Sequence, residues 1–250
     1  MISVLMPVYN AGLYLKEALD SILNQTYSNF EIHIFNDGST DNSREIIISY
    51  EDPRIIFHDS CENKGYVYHL NRGISLARGE YIARCDADDY CTPDRFQLQV
   101  EFLNHNLDHG LCGSWMKTIG NDRIYKFAET HEEIVNAMIN ENPMAHPVVM
   151  IRKDVLKSNN IYYEQEYMPA EDYKMWATLM YHTKLYNIPK VLLHYRQHPE
   201  QISQRKAEQQ KLNMVKIQVY QFQRLCSGLS DKDLQILESI LLWKFNGSRE

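Results

Sequence analysis

Acidic residues crowd this chain at the ends of two strand-like runs, and that placement restricts what the chain can fold into. Glu80-Tyr81-Ile82-Ala83-Arg84-Cys85 runs into Asp86-Ala87-Asp88-Asp89. Earlier, Phe30-Glu31-Ile32-His33-Ile34-Phe35 runs into Asn36-Asp37-Gly38-Ser39-Thr40-Asp41. Gathered carboxylates repel one another, and each resists losing its water. Folds tolerate such a cluster where a divalent cation or the hydrogen-bond donors of a ligand neutralise it. Two acidic turns at equivalent strand ends point to one site, built for a metal and something nucleotide-like.

The pattern around the turns is what makes those strand ends equivalent. Residues 2–6 read as a strand, and Leu15, Ala18, Leu19, Ile22 and Leu23 then share one helix face. Residues 31–36 form the next strand, after which Thr40 or Asp41 caps a helix carrying Ile46, Ile47 and Ile48. A strand at 54–58 precedes a helix marked by Val67, Leu70, Ile74 and Ala77, with Gly79 as its C-terminal cap. The strand at 80–85, a helix opening near Pro93, and a strand at 111–116 complete the series. This alternation predicts an α/β fold with a mostly parallel sheet and helices on both faces. Right-handed crossovers gather the C-terminal strand ends on one edge, where ligands bind. Pro7-Val8-Tyr9-Asn10 joins both acidic turns there.

The second half is less regular. It reads as a helix at 131–140, a strand at 147–151, a short helix at 154–158 and a final strand at 190–195. Between these, Glu171-Asp172 opens an amphipathic helix with Trp176, Leu179 and Met180 on one side. Acidic residues suit the positive end of a helix dipole, which favours an ionised carboxylate. Beyond about Arg205 the chain is helical, with Leu212, Val215, Val219 and Phe222 on one face and a second helix at 231–244.

Charge and cysteine usage exclude several classes. A net charge of −7 argues against a nucleic-acid binder, which needs a dominant basic surface. The cysteines (Cys61, Cys85, Cys91, Cys112 and Cys226) are five, an odd number, and form no C-x-x-C pair, so reduced thiols in a cytosolic setting are expected. Cys85 and Cys91 flank the acidic cluster without the four-ligand spacing of zinc. Met1 leads straight into a strand, and no apolar run approaches the roughly 20 residues that span a bilayer. The expectation is a cytoplasmic protein, with peripheral contact at the inner face of a membrane or self-association through the C-terminal helices both left open.

With these segments in view, the chain resembles the family-2 glycosyltransferases. The resemblance rests on S-V-L-M-P-V-Y-N at 3–10, S-I-L-N-Q-T-Y at 21–27 and N-D-G-S-T-D-N-S at 36–43. It continues through N-x-G at 63–65, L-N-R-G-I at 70–74 and A-R-G-E-Y-I-A-R-C-D-A-D-D at 77–89. In the second half it is carried by H-P-V-V-M-I-R at 146–152, E-D-Y-K-M-W at 171–176 and Y-R-Q-H at 195–198. It implies a GT-A, Rossmann-like catalytic domain at 1–205, with a nucleotide-sugar half at about 1–115, an acceptor half at about 116–205, and a helical extension at 206–250.

What the resemblance implies can be assigned residue by residue. Pro7, Tyr9, Asn10, Asp37, Asn63, Gly65, Asn71, Asp86, Ala87, Arg196 and His198 would bind the nucleotide sugar. Tyr9 would lie over the base, and Asp37 would accept a ring N–H of uracil or thymine. Asp88 would ligate Mn²⁺ or Mg²⁺, hard ions that prefer oxygen donors, with Asp86 and His198 as further candidates. Arg196, His198 and Ser203 would approach the diphosphate. Asp172 would be the general base, with Glu171, His146 and Trp176 supporting the acceptor side. The implied reaction is inverting, metal-dependent transfer of a sugar from a nucleotide sugar, foremost a UDP-sugar. The acceptor would be the hydroxyl of a saccharide or lipid-linked saccharide, in cell-surface polysaccharide synthesis.

Plainer assignments stand beside these. Asp41 reads as a helix cap and Trp176 as core beneath the catalytic helix. Asp89 is either a turn cap or a metal contact, Glu171 either a dipole partner or more, and His146 either structural or functional. Two positions depart from the family pattern: Asn36, where a second aspartate is common, and His69, where a small residue is usual. A nucleotidyltransferase would want a glycine-rich basic loop after the first strand, but Val8-Tyr9-Asn10-Ala11-Gly12 has one glycine and no basic residue. A non-catalytic nucleotide-sugar-binding module would be free to lose the E-D pair or the D-x-D motif, yet both are present.

Overall fold

The computed structural model describes residues 1–199 and 201–247, without the side chains of Ser203 and of residues after 243. The Ser203 assignment therefore lies outside the described side chains. In chain order the strands are β1 (Ile2–Val8), β2 (Phe30–Asp37), β3 (Ile55–Ser60), β4 (Tyr81–Arg84), β5 (Tyr90–Cys91), β6 (His109–Thr118), β7 (Ile124–Tyr125), β8 (Met150–Arg152) and β9 (Lys184–Tyr195). The helices of the first half are α1 (Leu15–Leu23), α2 (Ser43–Ile48), α3 (Tyr66–Leu76) and α4 (Arg95–His105). Those of the second are α5 (His131–Ala137), α6 (Lys153–Ser158), α7 (Glu171–Leu179), α8 (Ile202–Arg205), α9 (Ala207–Leu225) and α10 (Asp231–Gly247).

The described strands form one sheet in the order β3-β2-β1-β4-β8-β6-β9-β5, with β7 paired to β6. The first four are mutually parallel, β8 runs antiparallel between β4 and β6, and β9 returns parallel to β6. Alternate side chains of β1 show why both faces are covered. Ile2, Val4, Met6 and Val8 pack with Leu15, Leu19, Ile22, Phe96 and Leu103 from α1 and α4. Leu5 points the other way, into a cluster with Val67, Leu70, Trp176, Leu179 and Ile217 from α3, α7 and α9. The expected sheet with helices on both faces is the one observed.

Three local expectations need correction, each for a backbone reason. The strand expected at 147–151 is a single 3₁₀ turn, His146–Val148, followed by the shorter β8. Pro147 cannot donate to a ladder, which delays the strand. The final strand begins at Lys184, well before the expected 190, because Pro189 interrupts β9 without ending it. Its register against β6 shifts where Ile188 gives way to Val191. Gly79 does not cap α3, whose C-cap is Ala77. A Cβ at Gly79 would lie 2.6 Å from Ser3 N, so glycine lets the chain pass against β1.

One buried cation ties the two halves together. Arg95, fully buried, donates through Nη1 to Cys91 Sγ (3.0 Å), Cys85 Sγ (3.3 Å) and Pro147 O (3.0 Å). Its Nη2 donates to Arg84 O (2.8 Å) and Val149 O (3.4 Å), and Nε to Gln99 Oε1 (3.1 Å). The sulfurs that flank the acidic cluster are thus guanidinium acceptors beneath it.

The helix α9 docks through amides as well as apolar side chains. Asn213 Nδ2 donates to Met168 O (2.9 Å), Gln218 Nε2 to Asn140 O (2.9 Å) and Gln221 Nε2 to Met138 O (2.7 Å). By contrast, α10 leaves Ile236, Ile240 and Trp243 exposed. No helix among the described residues is long and apolar enough to cross a membrane. Truncating a buried amide strands the carbonyl it served, which costs about 1–3 kcal/mol. Asn213→Ala should lose that much in denaturant unfolding, Gln221→Ala less because Met138 O keeps the Tyr173 hydroxyl, and Lys232→Ala on exposed α10 should stay within about 0.5 kcal/mol. Equal effects at all three positions would contradict this account of how α9 is attached.

Candidate active site

The edge at the ends of β1 and β2 is laced by side chain to backbone bonds. Asn10, with φ at +51°, accepts from Thr40 N (2.8 Å) and gives its own N–H to Ser39 Oγ (3.0 Å). Asp41 accepts from Ser43 N (3.0 Å), the first residue of α2, and from Gly12 N (2.9 Å). It therefore closes the turn ahead of α2, whose N-cap is Asn42 rather than the expected Thr40 or Asp41, and clamps the two loops together. Asn36 donates to Asp59 Oδ1 (2.8 Å) and accepts from Ser39 N (3.3 Å), which orients the turn. Pro7 is the penultimate residue of β1, and Tyr9, just past its end, is half exposed on the rim.

Asp37 is nearly buried and accepts from Lys64 N (2.6 Å), Gly65 N (2.9 Å) and His69 Nε2 (2.7 Å). The histidine that departs from the family pattern is thus a partner of this carboxylate. Gly65, at φ +85°, supplies the turn that aims both N–H groups, and Asn63 lies exposed just before it. Asn71 is engaged elsewhere: its amide brackets the backbone of Tyr163, donating to the carbonyl (2.8 Å) and accepting from the N–H (2.9 Å).

After β4, one carboxylate oxygen from each of Asp86, Asp88 and Asp89 lies within 4.8 Å of the others. Ala87 between them is buried in the core. From the end of β9, Arg196 N donates to Asp89 Oδ1 (2.8 Å) and Arg196 Nε to Asp88 O (2.9 Å), while His198 Nε2 meets Asp88 Oδ2 (2.8 Å). Arg196 also pairs with Glu17 and lies over the Tyr14 ring. Asp89 Oδ2 is buried with no hydrogen-bond partner among the described residues. Burial and then the charge of Asp86 push both Asp88 and Asp89 up from the ordinary carboxylate range. Three crowded carboxylates, one with an orphan oxygen, fit the all-oxygen donor set of a hard divalent cation. Asp89 therefore belongs to the cluster, which the sequence left open between a turn cap and a contact.

Across the edge, α7 presents a second acidic pair. Glu171 is buried and accepts from Tyr66 Oη (2.7 Å), with His146 Nδ1 at 3.8 Å. Asp172, partly exposed, accepts from Asn142 Nδ2 (2.8 Å). Burial raises both carboxyl groups, and for Glu171 the neighbouring Asp172 adds to it. At Asp172 desolvation outweighs the pull of the helix end, which lifts its carboxyl above the ordinary range. His146 is held well below its usual value, first by burial and then by the charge of Arg84, so its ring is neutral. It meets Tyr163 Oη (2.9 Å) and packs edge-on against the fully buried Trp176.

Arg84, Tyr66, Tyr163 and Asn142 were not singled out from sequence. Only Arg84 carried a signal there, as a charged residue inside an apolar strand run directly before Cys85-Asp86.

The family model described as Glycosyl transferase family 2 matches residues 3–207. The chain belongs to glycosyl transferase family 2. An uncharacterized glycosyltransferase of Haemophilus influenzae is 35% identical over 221 residues, 81% of this chain and 67% of its own. The glycosyltransferase GlyG of Streptococcus pneumoniae is 50% identical over 137 residues, 53% of this chain and 45% of its own. Among solved structures, S. aureus TarS in complex with UDP-GlcNAc covers 99% of this chain and 74% of its own at a TM-score of 0.76 and 20% identity. The Pyrobaculum calidifontis mannosyltransferase PcManGT, in complex with GDP-Man and Mn²⁺, covers 97% and 69% at 0.66 and 16%. At these identities the two structures speak for the fold, that of GT-A glycosyltransferases.

In this family-2 glycosyltransferase the acidic cluster stores repulsion. Asp89→Asn keeps an acceptor for Arg196 N–H but removes one charge. At a pH high enough to ionise Asp89, the metal-free variant should melt about 2–4 °C above wild type, the size of a 1 kcal/mol gain in a protein of this length. Its further rise on adding Mn²⁺ should be smaller than that of wild type. An unchanged metal-free melting temperature, or an undiminished Mn²⁺ effect, would count against the cluster as described.

Proposed function

We propose that this protein is an inverting glycosyltransferase that uses a divalent cation and a UDP-sugar and acts on the hydroxyl of a saccharide or lipid-linked saccharide. The observation that carries the proposal is the pair of carboxylate groups on one sheet edge: a metal-competent cluster after β4 and the Glu171–Asp172 pair at the start of α7. Residues 1–205 would form the catalytic unit, with α9 and α10 as its extension. That TarS was solved with UDP-GlcNAc and PcManGT with GDP-Man and Mn²⁺ supports a nucleotide-sugar donor and a divalent ion.

On this reading Asp86, Asp88 and Asp89 hold Mn²⁺ or Mg²⁺, and His198 and Arg196 orient the cluster from β9. The chemistry such an ion supplies is stabilisation of the charge on the leaving diphosphate. Tyr9 offers a face to the base. A carboxylate has about four acceptor sites, and Asp37 has three donors, leaving room for one ring N–H of uracil. Asp172 takes the proton of the acceptor hydroxyl as its oxygen attacks the anomeric carbon from the face opposite the diphosphate. One base and one displacement invert the configuration, by the logic of inverting glycosidases. Glu171, bonded to Tyr66, fixes the helix end from which Asp172 projects.

Titration with UDP, GDP and ADP, with and without Mn²⁺, tests the donor half. Wild type should favour UDP and bind it more tightly with Mn²⁺, and Asp88→Ala should abolish the metal's contribution. Equal affinity for the three nucleotides, or metal dependence that survives in Asp88→Ala, would refute it.

The catalytic half is tested by Asp172→Asn, which keeps the shape and loses the basicity. UDP-sugar affinity and melting temperature should stay near wild type, while sugar transfer falls about 10²- to 10⁴-fold. A raised carboxyl is protonated at a higher pH than an ordinary aspartate, so the base form is lost sooner on acidification. The acidic limb of log kcat against pH should thus fall above the ordinary aspartate value of about 4. A limb at or below that value, or near wild-type transfer by Asp172→Asn, would remove Asp172 from the role.

A further inference from the structure

The reaction proposed above leaves one charged group beside the site without a task. Arg84 ends β4, and its side chain is only 7% exposed. Nη2 pairs with Asp86 Oδ1 at 2.5 Å and Nη1 donates to Cys85 O, but Nε has no hydrogen-bond partner among the described residues. A buried donor left unpaired costs about 1–3 kcal/mol, and more on a charged group. Chains that bury a guanidinium normally spend all its N–H groups, as Arg95 does directly beneath.

The position of this orphan donor suggests its acceptor. Arg84 is joined to the acidic cluster through Asp86, and its charge also acts on Glu171, Asp172, His146 and Tyr163 on the α7 side. It is therefore bonded to the first carboxylate group and near enough to the second for its charge to be felt there. In the proposed reaction the transferred sugar occupies the interval between the two groups. Its diphosphate lies at the cluster, and its anomeric carbon lies within reach of the acceptor oxygen that Asp172 deprotonates. We propose that Arg84 is a donor-binding residue whose Nε–H is directed at a hydroxyl oxygen of the transferred sugar. The fork of a guanidinium permits this: one edge holds Asp86 in place while the Nε side serves the ligand. A lysine could supply the charge but not both directed bonds. Asp86, Glu171 and Asp172 already surround the cation, so a neutral hydroxyl suits the remaining donor better than a further carboxylate. The assignment rests on the donor-site reading above and adds to it the group that recognises the sugar as distinct from the nucleotide.

Calorimetric titration with Mn²⁺ separates the two. Wild type, Arg84→Lys and Arg84→Gln are each titrated with UDP, UDP-GlcNAc, UDP-glucose and UDP-galactose. UDP affinity should stay within about threefold in all three proteins, while the sugar nucleotide that wild type binds most tightly should lose about tenfold in Arg84→Gln, or about 1.4 kcal/mol. Arg84→Lys should lose most of the same factor. A parallel loss for UDP and the sugar nucleotide would mean that Arg84 acts only through Asp86 and overturns the proposal. So would full recovery in Arg84→Lys, which would make the charge sufficient, or unchanged affinity in both variants. Because lysine keeps the pairing with Asp86, that variant carries the test should the glutamine variant fail to fold. A wild type that binds none of these ligands overturns the donor-site reading itself, and with it the role of Arg84.

Discussion

Arg95 sits fully buried beneath the acidic loop, and its guanidinium gathers backbone carbonyls from the end of β4 and from the 147–149 segment together with the sulfurs of Cys85 and Cys91. No carboxylate of the described residues is among its bonded partners. A buried cation is tolerable only when its donors are spent, and here the spending joins the two halves of the sheet. The Cys91 thiol is drawn down by its hydrogen bond with Cys85 and by the adjacent guanidinium, which offsets part of the charge. The loop that carries Asp86, Asp88 and Asp89 is thereby held at both ends, by Cys85 and by Cys91. Repelling carboxylates can be kept together there because the backbone on either side cannot yield.

How much of this could be read from sequence follows from the range of the interactions involved. The strand and helix series of the first half was legible because periodicity is local: the apolar stripe of α1 and the alternation of β1 state their own burial. The two acidic turns were legible for a similar reason, since right-handed crossovers fix which strand ends meet. The second half was harder because prolines mislead at short range. Pro147 and Pro189 both disturb a ladder, one delaying β8 and the other interrupting β9, and sequence alone cannot tell the two effects apart. The tyrosines and the asparagine around α7 were illegible, for they reach the carboxyl pair from segments remote in sequence: Tyr66 bonds Glu171 and Asn142 bonds Asp172. Nothing in the neighbourhood of Tyr66 or Asn142 announces such a partner.

Both acidic groups share one electrostatic condition, which ties them to the sheet edge. Burial disfavours the ionised form of Asp88, Asp89, Glu171 and Asp172 alike. The compensation differs between the two groups. The cluster after β4 has His198, the backbone of Arg196 and an orphan oxygen on Asp89, an arrangement that fits a cation. The pair on α7 has neutral donors, the hydroxyl of Tyr66 and the amide of Asn142, and a neutral His146 nearby. Neutral donors orient a carboxylate without fixing its charge as firmly as a cation would, which would suit the proton acceptor proposed for Asp172. Arg84 lies between these conditions, bonded to one group and felt by the other.

The helix α9 follows from the same demand for fixed geometry, although the sequence left its role open and the family match ends where it begins. Its amides do not bond at random. Asn213 holds Met168 O, and Gln210 holds Pro169 O at 3.1 Å, in the segment that leads into Glu171 and Asp172. Gln221 holds Met138 O and Gln218 holds Asn140 O, just before the Asn142 that bonds Asp172. Gln221 also reaches the Tyr173 hydroxyl at 3.3 Å, on the residue after Asp172. Both the helix bearing Asp172 and the loop orienting its carboxylate are therefore fastened to one rigid element. Misplacing a reacting group by about 1 Å can cost on the order of 100-fold in rate. If Asp172 is the base proposed above, bracing it through α9 would bear on turnover as well as on stability.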